Sequence, residues 1–510
     1  MLCAAALAFL LLPAKSGETG AEIVRKAAIA SREGERGAWR LTGTAKMRGS
    51  AGSFRIDFDS DLRYRVVESG PIPETDGFDG RDCWTLGRSG IPHRVIGFGR
   101  DFSQLNVWIT SGQWADAHSG IDVAADRSAK GKLALTVRFR AGVVTARLTL
   151  DPKTYLPDAL SAWSGSGGDT WTFSKYKMLA GRRFPTHIVY RSGAEVDVYD
   201  IARAERVGKP VGYAMPATMP RLAPPNAPVS ADVPVKRVGP YLFVHPLLDG
   251  QDVGWFFLDT GADAMCIAPE TEKKLHLRVV GHETTAGVVG FSQTDVCQAE
   301  SLKLGPVVFT KPIFTVLPVL ENLSKAFKLP IAGICGYDFI ARSVVEIDPS
   351  LPTVKISLPG RAPQVEGVTW TRIGFASETP MARFSFARFG EAEKPITGEF
   401  AIDTGSGSTV DFFTPAVERW RLEDGQKLQE ARTGGSGGTA ANKVGQLAWF
   451  EIAGQRIADP TVGFQHVHAG VFANPYVAGN VGGGFLSKFK LILDYPNERI
   501  GFVPMQKNVP

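Results

Sequence analysis

The feature that most constrains this chain is a triplet that occurs twice. Asp259-Thr260-Gly261 closes the apolar run Trp255-Phe256-Phe257-Leu258, and Asp403-Thr404-Gly405 closes Phe400-Ala401-Ile402. Asp and Gly are ordinary turn residues, so a single triplet of this kind is as well explained by a turn as by chemistry. Here the landmarks downstream repeat as well. A Gly-punctuated stretch follows each triplet, at 284–291 and at 433–439. Ala332-Gly333-Ile334-Cys335-Gly336 then pairs with Ala478-Gly479-Asn480-Val481-Gly482, and the copies close on 344–349 and 490–496. Asp259 precedes Gly336 by 77 residues and Asp403 precedes Gly482 by 79. A spacing that survives between separate landmarks marks a duplicated unit. Two such units packed about a pseudo-twofold axis would bring one carboxylate from each face to face.

Each unit resembles a lobe of the retropepsin-like (clan AA) aspartic peptidases, and the tandem pair is similar to the single-chain bacterial members of that group. Pepsin-like enzymes also have two lobes, but they carry one flap, normally with a tyrosine; both hairpins here are Gly-rich and lack one. The resemblance spans residues 235–508. It implies two tandem β-barrel lobes, 235–360 and 364–508, with Asp259 and Asp403 as the catalytic residues. Thr260, Gly261, Thr404, Gly405 and Ser406 would support the loops, with Gly336 and Gly482 behind them. Gly287 and Gly290 would belong to one flap, and Gly434, Gly435, Gly437 and Gly438 to the other. Asn480 stands where the family usually has an apolar residue.

The chemistry implied by the resemblance explains these residue types. Two carboxylates a few ångströms apart cannot both ionise comfortably, so they hold one proton between them. One then serves as general base toward a water while the other donates to a carbonyl oxygen. Glycine beside each acid permits tight backbone geometry, and the threonine hydroxyls are expected to hydrogen-bond across the interface. Ser406 is expected to donate its hydroxyl to the outer oxygen of Asp403, which Ala262 cannot do in the other copy. That would leave the shared proton on Asp259. No cofactor and no metal is implied, and the two copies in one chain point to a monomer with an intramolecular pseudo-dimer of lobes.

The rest of the chain narrows the setting. At 510 residues with 44% hydrophobic content it has room for about three domains. A net charge of +5 without a basic block argues against nucleic acid as a partner. No stretch approaches the ~18 apolar residues of a membrane span. Residues 2–12 are apolar and are followed by Pro13-Ala14-Lys15-Ser16-Gly17, which reads as a signal peptide over 1–17 and a periplasmic or secreted protein. Cys83, Cys266, Cys297 and Cys335 allow three disulfide pairings, among which the sequence does not choose.

Residues 18–205 differ in texture. A short helix over 21–30 leads into runs with period-two alternation at 54–59 and 133–140, then further strand candidates at 143–150, 171–176 and 187–190. The phrasing is similar to the curved antiparallel sheet with helices of periplasmic lipoprotein-carrier proteins. A Pro-rich stretch over 206–234 reads as a semi-rigid linker, and a second boundary falls near 358–363. The expected fold class is thus mainly β: an N-terminal antiparallel sheet domain with short helices, then the two lobes. Gly434-Gly435-Ser436-Gly437-Gly438 matches a nucleophile-elbow pattern but lacks the strand before and helix after. His466 and His468 have no third ligand nearby, so they make no zinc site. Two functions are consistent with these residues: an aspartic endopeptidase acting on peptide or protein substrates, or a non-catalytic periplasmic protein that binds a lipid or hydrophobic ligand on a peptidase-like scaffold.

Overall fold

The computed structural model describes residues 18–32, 36–116, 118–126, 133–163, 168–208, 212–217, 219–287, 290–360, 365–435 and 437–505. The expected signal peptide, the segment 361–363 and Ser436 lie outside the described residues. The chain is mainly β with a few short helices.

The N-terminal helix spans Gly20–Ser31. Thr19 and Glu22 start it with a capping box: the Thr19 hydroxyl accepts the Glu22 N–H at 3.3 Å, and the Glu22 carboxylate accepts the Thr19 N–H at 2.7 Å. The sheet beyond it is antiparallel. From one edge its strands run Ile121–Ala125, Leu133–Phe139, Thr145–Leu150, Pro157–Trp163, Gly168–Ser174, His187–Ser192 and Glu195–Arg206. They continue through Ala38–Met47, Ser50–Asp59, Tyr64–Ser69, Glu74–Phe78, Cys83–Leu86 and His93–Val95. Alternation sends Phe54, Ile56 and Phe58 into one core with Leu135, Val137 and Phe139. A second helix, Gly97–Ser111, adds Leu105, Trp108 and Ile109 to that core. Its pattern is hard to read from sequence because Asp101, Gln104 and Ser111 are buried alongside its apolar residues.

The two C-terminal units repeat one topology. In the first, Trp255–Leu258 runs parallel to Ile331–Cys335, which pairs on its other side with the short antiparallel strand Cys266–Ile267. That short strand lies parallel to Ile313–Val316. In the second, Ile396–Asp403, Gly479–Gly482, Val410–Phe412 and Thr461–Gln465 repeat these relations in the same order. The strands before the aspartates read as near-continuous apolar runs because both of their faces are covered; Phe256, Leu258, Phe400 and Ile402 are fully buried. One further sheet crosses between the units, in the order Ser230–Pro234, Thr353–Ser357, Val344–Ile347, Phe489–Asp494, Arg499–Pro504, Thr369–Arg372. Glu346 faces Ile492 at its centre, so equivalent strands of the two units meet there.

That sheet corrects the reading of 206–234 as a linker throughout. Ser230–Pro234 is its edge strand, and Pro234 is tolerated there because an edge leaves one row of N–H groups unpaired. Upstream, Tyr213 is buried and its carbonyl accepts Trp84 Nε1–H at 2.8 Å. Leu222 packs on the core of the lobes. The described residues of this segment thus touch both halves. Cys83, Cys266, Cys297 and Cys335 are all buried free thiols.

The N-terminal domain also docks on the first lobe through polar contacts. Arg88 forms a salt bridge with Glu283 and donates to Thr315 Oγ1 at 3.2 Å. Ser50 Oγ donates to the Val280 carbonyl at 2.7 Å, and His282 N–H to the Arg48 carbonyl at 2.8 Å. Tyr337 and His93 share a hydrogen bond of 2.6 Å, and a further contact reaches the second lobe, where Arg94 pairs with Glu498 at 2.6 Å.

Candidate active site

The two Asp-Thr-Gly loops meet at the pseudo-twofold axis and hold each other through four reciprocal hydrogen bonds. Thr260 N–H donates to Thr404 Oγ1 at 3.0 Å, and Thr404 N–H to Thr260 Oγ1 at 2.9 Å. Each hydroxyl in turn donates across the axis: Thr260 to the Ile402 carbonyl at 2.7 Å and Thr404 to the Leu258 carbonyl at 3.0 Å. Both threonines are buried, so these bonds act in a medium where leaving a donor unpaired costs about 1–3 kcal/mol. The lattice fixes the position of the residue just before each threonine, which is the aspartate.

The glycines let the loops approach. A β-carbon on Gly261 would overlap the Asp403 carboxyl, and one on Gly405 would overlap that of Asp259. Each glycine also donates its N–H to its own aspartate, Gly261 to Asp259 Oδ1 at 2.8 Å and Gly405 to Asp403 Oδ1 at 2.9 Å. Gly336 and Gly482 support the loops from behind. A β-carbon at Gly336 would strike the Ala262 and Ala264 carbonyls, and one at Gly482 the Ser408 carbonyl.

The two carboxyls are half-buried, opening only toward the cleft, and they interact directly with each other. Their surroundings are unequal. Burial, and then the charge of Asp403, push Asp259 up to about 8. Burial also raises Asp403, but Asn480 Nδ2 donates to its Oδ2 at 3.1 Å, and the Gly405 and Ser406 N–H groups add to that. Donors to a carboxylate favour its ionised form. These surroundings favour the ionised form at Asp403 and the shared proton on Asp259.

The asymmetry has the expected direction and a different source. The Ser406 hydroxyl turns away from Asp403, pairing with Ser408 Oγ at 2.7 Å and accepting the Ser408 N–H at 3.3 Å. Only its backbone serves the site. The side-chain donor is Asn480, at the position where an apolar residue was expected. In the first lobe that place belongs to Ile334, which has no such group. Asn480 Oδ1 is buried and has no partner among the described residues, and the side chain lines the cleft.

A cleft of about 680 Å³ opens over the dyad. An adjoining pocket of about 250 Å³ shares Asp259, Gly261 and Gly405 and is walled by Phe257, Leu317, Leu323, Phe327 and Ile334. Tyr241, which the repeat did not single out, lines both. Two hairpins reach over this space, Arg278–Ala286 with Phe291–Gln298 and Gln429–Gly435 with Gly438–Ile452. Gly287, Gly434 and Gly435 line the cleft, whereas Gly290, Gly437 and Gly438 sit at the tips without facing it. Gly437 and Gly438 have φ of 83° and 129°, a region that other residues enter only with strain. The Gly-x-Ser-x-Gly match thus lies at a strand–turn–strand tip. Asp411 is buried near Ser408 and Gln465, and Asp263 is exposed; neither joins the dyad. His466 bonds Glu423 at 2.8 Å, and no metal-binding cluster occurs among the described residues.

A family model described as "Aspartyl protease" matches residues 244–339, which hold the first Asp-Thr-Gly loop and Gly336. No curated protein matches the chain. Among solved structures, the aspartic proteinase from Irpex lacteus is similar with a TM-score of 0.36 and 12% identity, over 55% of this chain and 98% of that one.

Proposed function

We propose that this protein is an aspartic endopeptidase whose dyad, Asp259 and Asp403, hydrolyses peptide bonds within one chain. The observation that carries the reading is the reciprocal Thr260–Thr404 lattice, which holds two carboxyls of unequal acidity at one point of a substrate-sized cleft. Asp403 takes a proton from a water lying between the acids as that water attacks the carbonyl carbon. Asp259 gives its proton to the carbonyl oxygen. Collapse of the resulting diol returns a proton from the diol to Asp259, while Asp403 delivers its own to the departing nitrogen. The dyad then stands as it began. The apolar run at 2–12 supports export as part of this reading.

The pocket walled by Phe257, Leu317, Leu323, Phe327 and Ile334 favours an apolar substrate side chain beside the scissile bond. A pair of quenched peptides tests this together with the intramolecular dyad. Cleavage is expected where leucine or phenylalanine flanks the bond, and to fall by about tenfold or more when aspartate replaces it. Specific activity should stay constant on dilution. Activity that rises with protein concentration would mean that lobes pair between chains.

The pH profile follows from the unequal acids. Activity requires Asp403 ionised and Asp259 protonated, so it declines at high pH as Asp259 titrates at about 8 and at low pH as Asp403 gains a proton. Asn480→Leu removes a donor that favours ionised Asp403, so the acidic limb should move upward by about one unit. Ser406→Ala, by contrast, should leave it in place. Limbs unchanged in Asn480→Leu would show that the amide does not set the asymmetry.

The hairpins are also unequal. The first is tied to the N-terminal domain through Val280, His282 and Glu283, and its Gly287 carbonyl accepts Val471 N–H from the second lobe at 3.1 Å. The second is bonded only within its own lobe among the described contacts. Closure over substrate therefore falls to the second hairpin. Hydrogen exchange should be faster at Gly434 and Thr439 than at His282 and Thr284; the reverse order would sink the assignment.

A further inference from the structure

A second cavity, about 430 Å³, lies where the N-terminal sheet meets the turn of the second-lobe hairpin Gly374–Ala376/Thr379–Arg388, and shares no lining residue with the dyad cleft. Its wall carries Glu68, Glu74, Asp76, Glu195, Asp197 and Glu378, and Arg48 is the sole guanidinium among its described lining residues. Arg48 is already engaged, its Nη2 pairing with Glu74 at 2.7 Å. The same wall carries the aromatic side chains of Phe98, Phe102, Trp171 and Tyr190. Acids and aromatic faces together are the surroundings that organic ammonium groups seek, through ion pairs and cation–π contact. An apolar lipid chain finds no such match here.

A separate observation points to a missing ligand. His93 is 4% exposed, lines this cavity, and spends Nδ1 on the Tyr337 hydroxyl. Its Nε2 is buried and has no hydrogen-bond partner among the described residues. An unpartnered buried polar atom in a native wall calls for an explanation; in the tautomer whose Nδ1–H donates to the Tyr337 hydroxyl, Nε2 is an acceptor, and a bound donor supplies its partner. Burial holds the ring neutral, with the pKa lowered to about 4, so it does not repel a cation.

The backbone agrees with that reading. Ser377 and Glu378 both have positive φ, 51° and 61°, in the two-residue turn between Ala376 and Thr379. Asn-Gly is the pair such a turn favours, whereas Ser-Glu adopts it only with backbone strain. The strain places the Glu378 side chain in the cavity wall. Burial and the surrounding carboxylates push Asp76 and Glu378 well above the usual range, and Glu68 and Glu195 to about 7. These acids lack the positive charge that would let them ionise. The residues do not form a metal-binding cluster, and the space far exceeds a bare ion.

We propose that this cavity binds a small aliphatic polyamine, its ammonium groups held by Glu68, Asp76 and Glu378, with a donor to His93 Nε2 and methylenes against Trp171 and Phe102. The proposal is independent of peptidase activity. It is tested by titrating spermidine into the full chain calorimetrically at low salt, with 1,8-octanediol and Mg²⁺ as comparison probes. Saturable binding of one spermidine is expected, with neither comparison probe binding at that site. Glu378→Gln and Glu68→Gln should each weaken it by about tenfold or more, with thermal unfolding of the unliganded protein monitored to confirm folding. No saturable heat from the wild-type protein would overturn the proposal, as would octanediol or Mg²⁺ binding at the same site. Unchanged affinity in a folded Glu378→Gln protein would do so as well.

Discussion

Asp259→Asn and Asp403→Asn are each expected to lower kcat/KM by about 10³-fold or more while leaving the fold intact. The estimate rests on what one positioned acid or base contributes to proton transfer, roughly 10²–10⁴ in rate. Here each substitution also destroys the shared-proton state on which its partner depends, so the double variant should be little worse than either single one. Asparagine is close in shape, and the Thr260–Thr404 lattice does not involve the carboxyls, so unfolding temperature should change little. Steady-state kinetics with thermal unfolding on the same preparations checks this. Additive losses from the two sites would mean that the acids act separately.

The second large effect is steric. Gly405→Ala puts a β-carbon onto the Asp259 carboxyl, the reacting group itself. The carboxyl or the loop must shift, and a displacement of ~1 Å in a reacting group costs on the order of 10² in rate. A stability loss of about 1–3 kcal/mol should accompany it, as for other overpacked sites. Gly208→Ala is the matching control, since a β-carbon there meets nothing within 4 Å. Kinetics that are equal in the two variants would remove the close approach of the loops from the account.

The parts legible in the sequence were those in which one residue's role is repeated. Two triplets, each after an apolar strand and each followed at nearly constant spacing by a glycine, carry the topology of both lobes. Their juxtaposition could be read without coordinates. Ser406 shows where such reading stops. A hydroxyl next to the loop glycine looked like the donor to Asp403, but the local turn directs it to Ser408. Asn480 was visible as a departure from an apolar pattern, yet only the parallel register of Gly479–Gly482 against Ile396–Asp403 aims its amide at the acid. Helix Gly97–Ser111 was hidden because several of its buried residues are polar. The docking of the N-terminal sheet on the first hairpin rests on single long-range pairs such as Arg88 with Glu283, which leave no periodicity to detect. The strand Ser230–Pro234 was masked by its proline, a residue that an edge position accepts.

The most direct test of the central claim is digestion of a mixed peptide library in ¹⁸O-enriched water, with the products read by mass spectrometry. The account predicts internal cleavage by the wild-type protein, with solvent oxygen in each newly formed carboxyl group and nearly no products from Asp259→Asn. A wild-type protein that leaves the library intact would contradict it, and so would cleavage that persists undiminished in the folded Asp259→Asn variant.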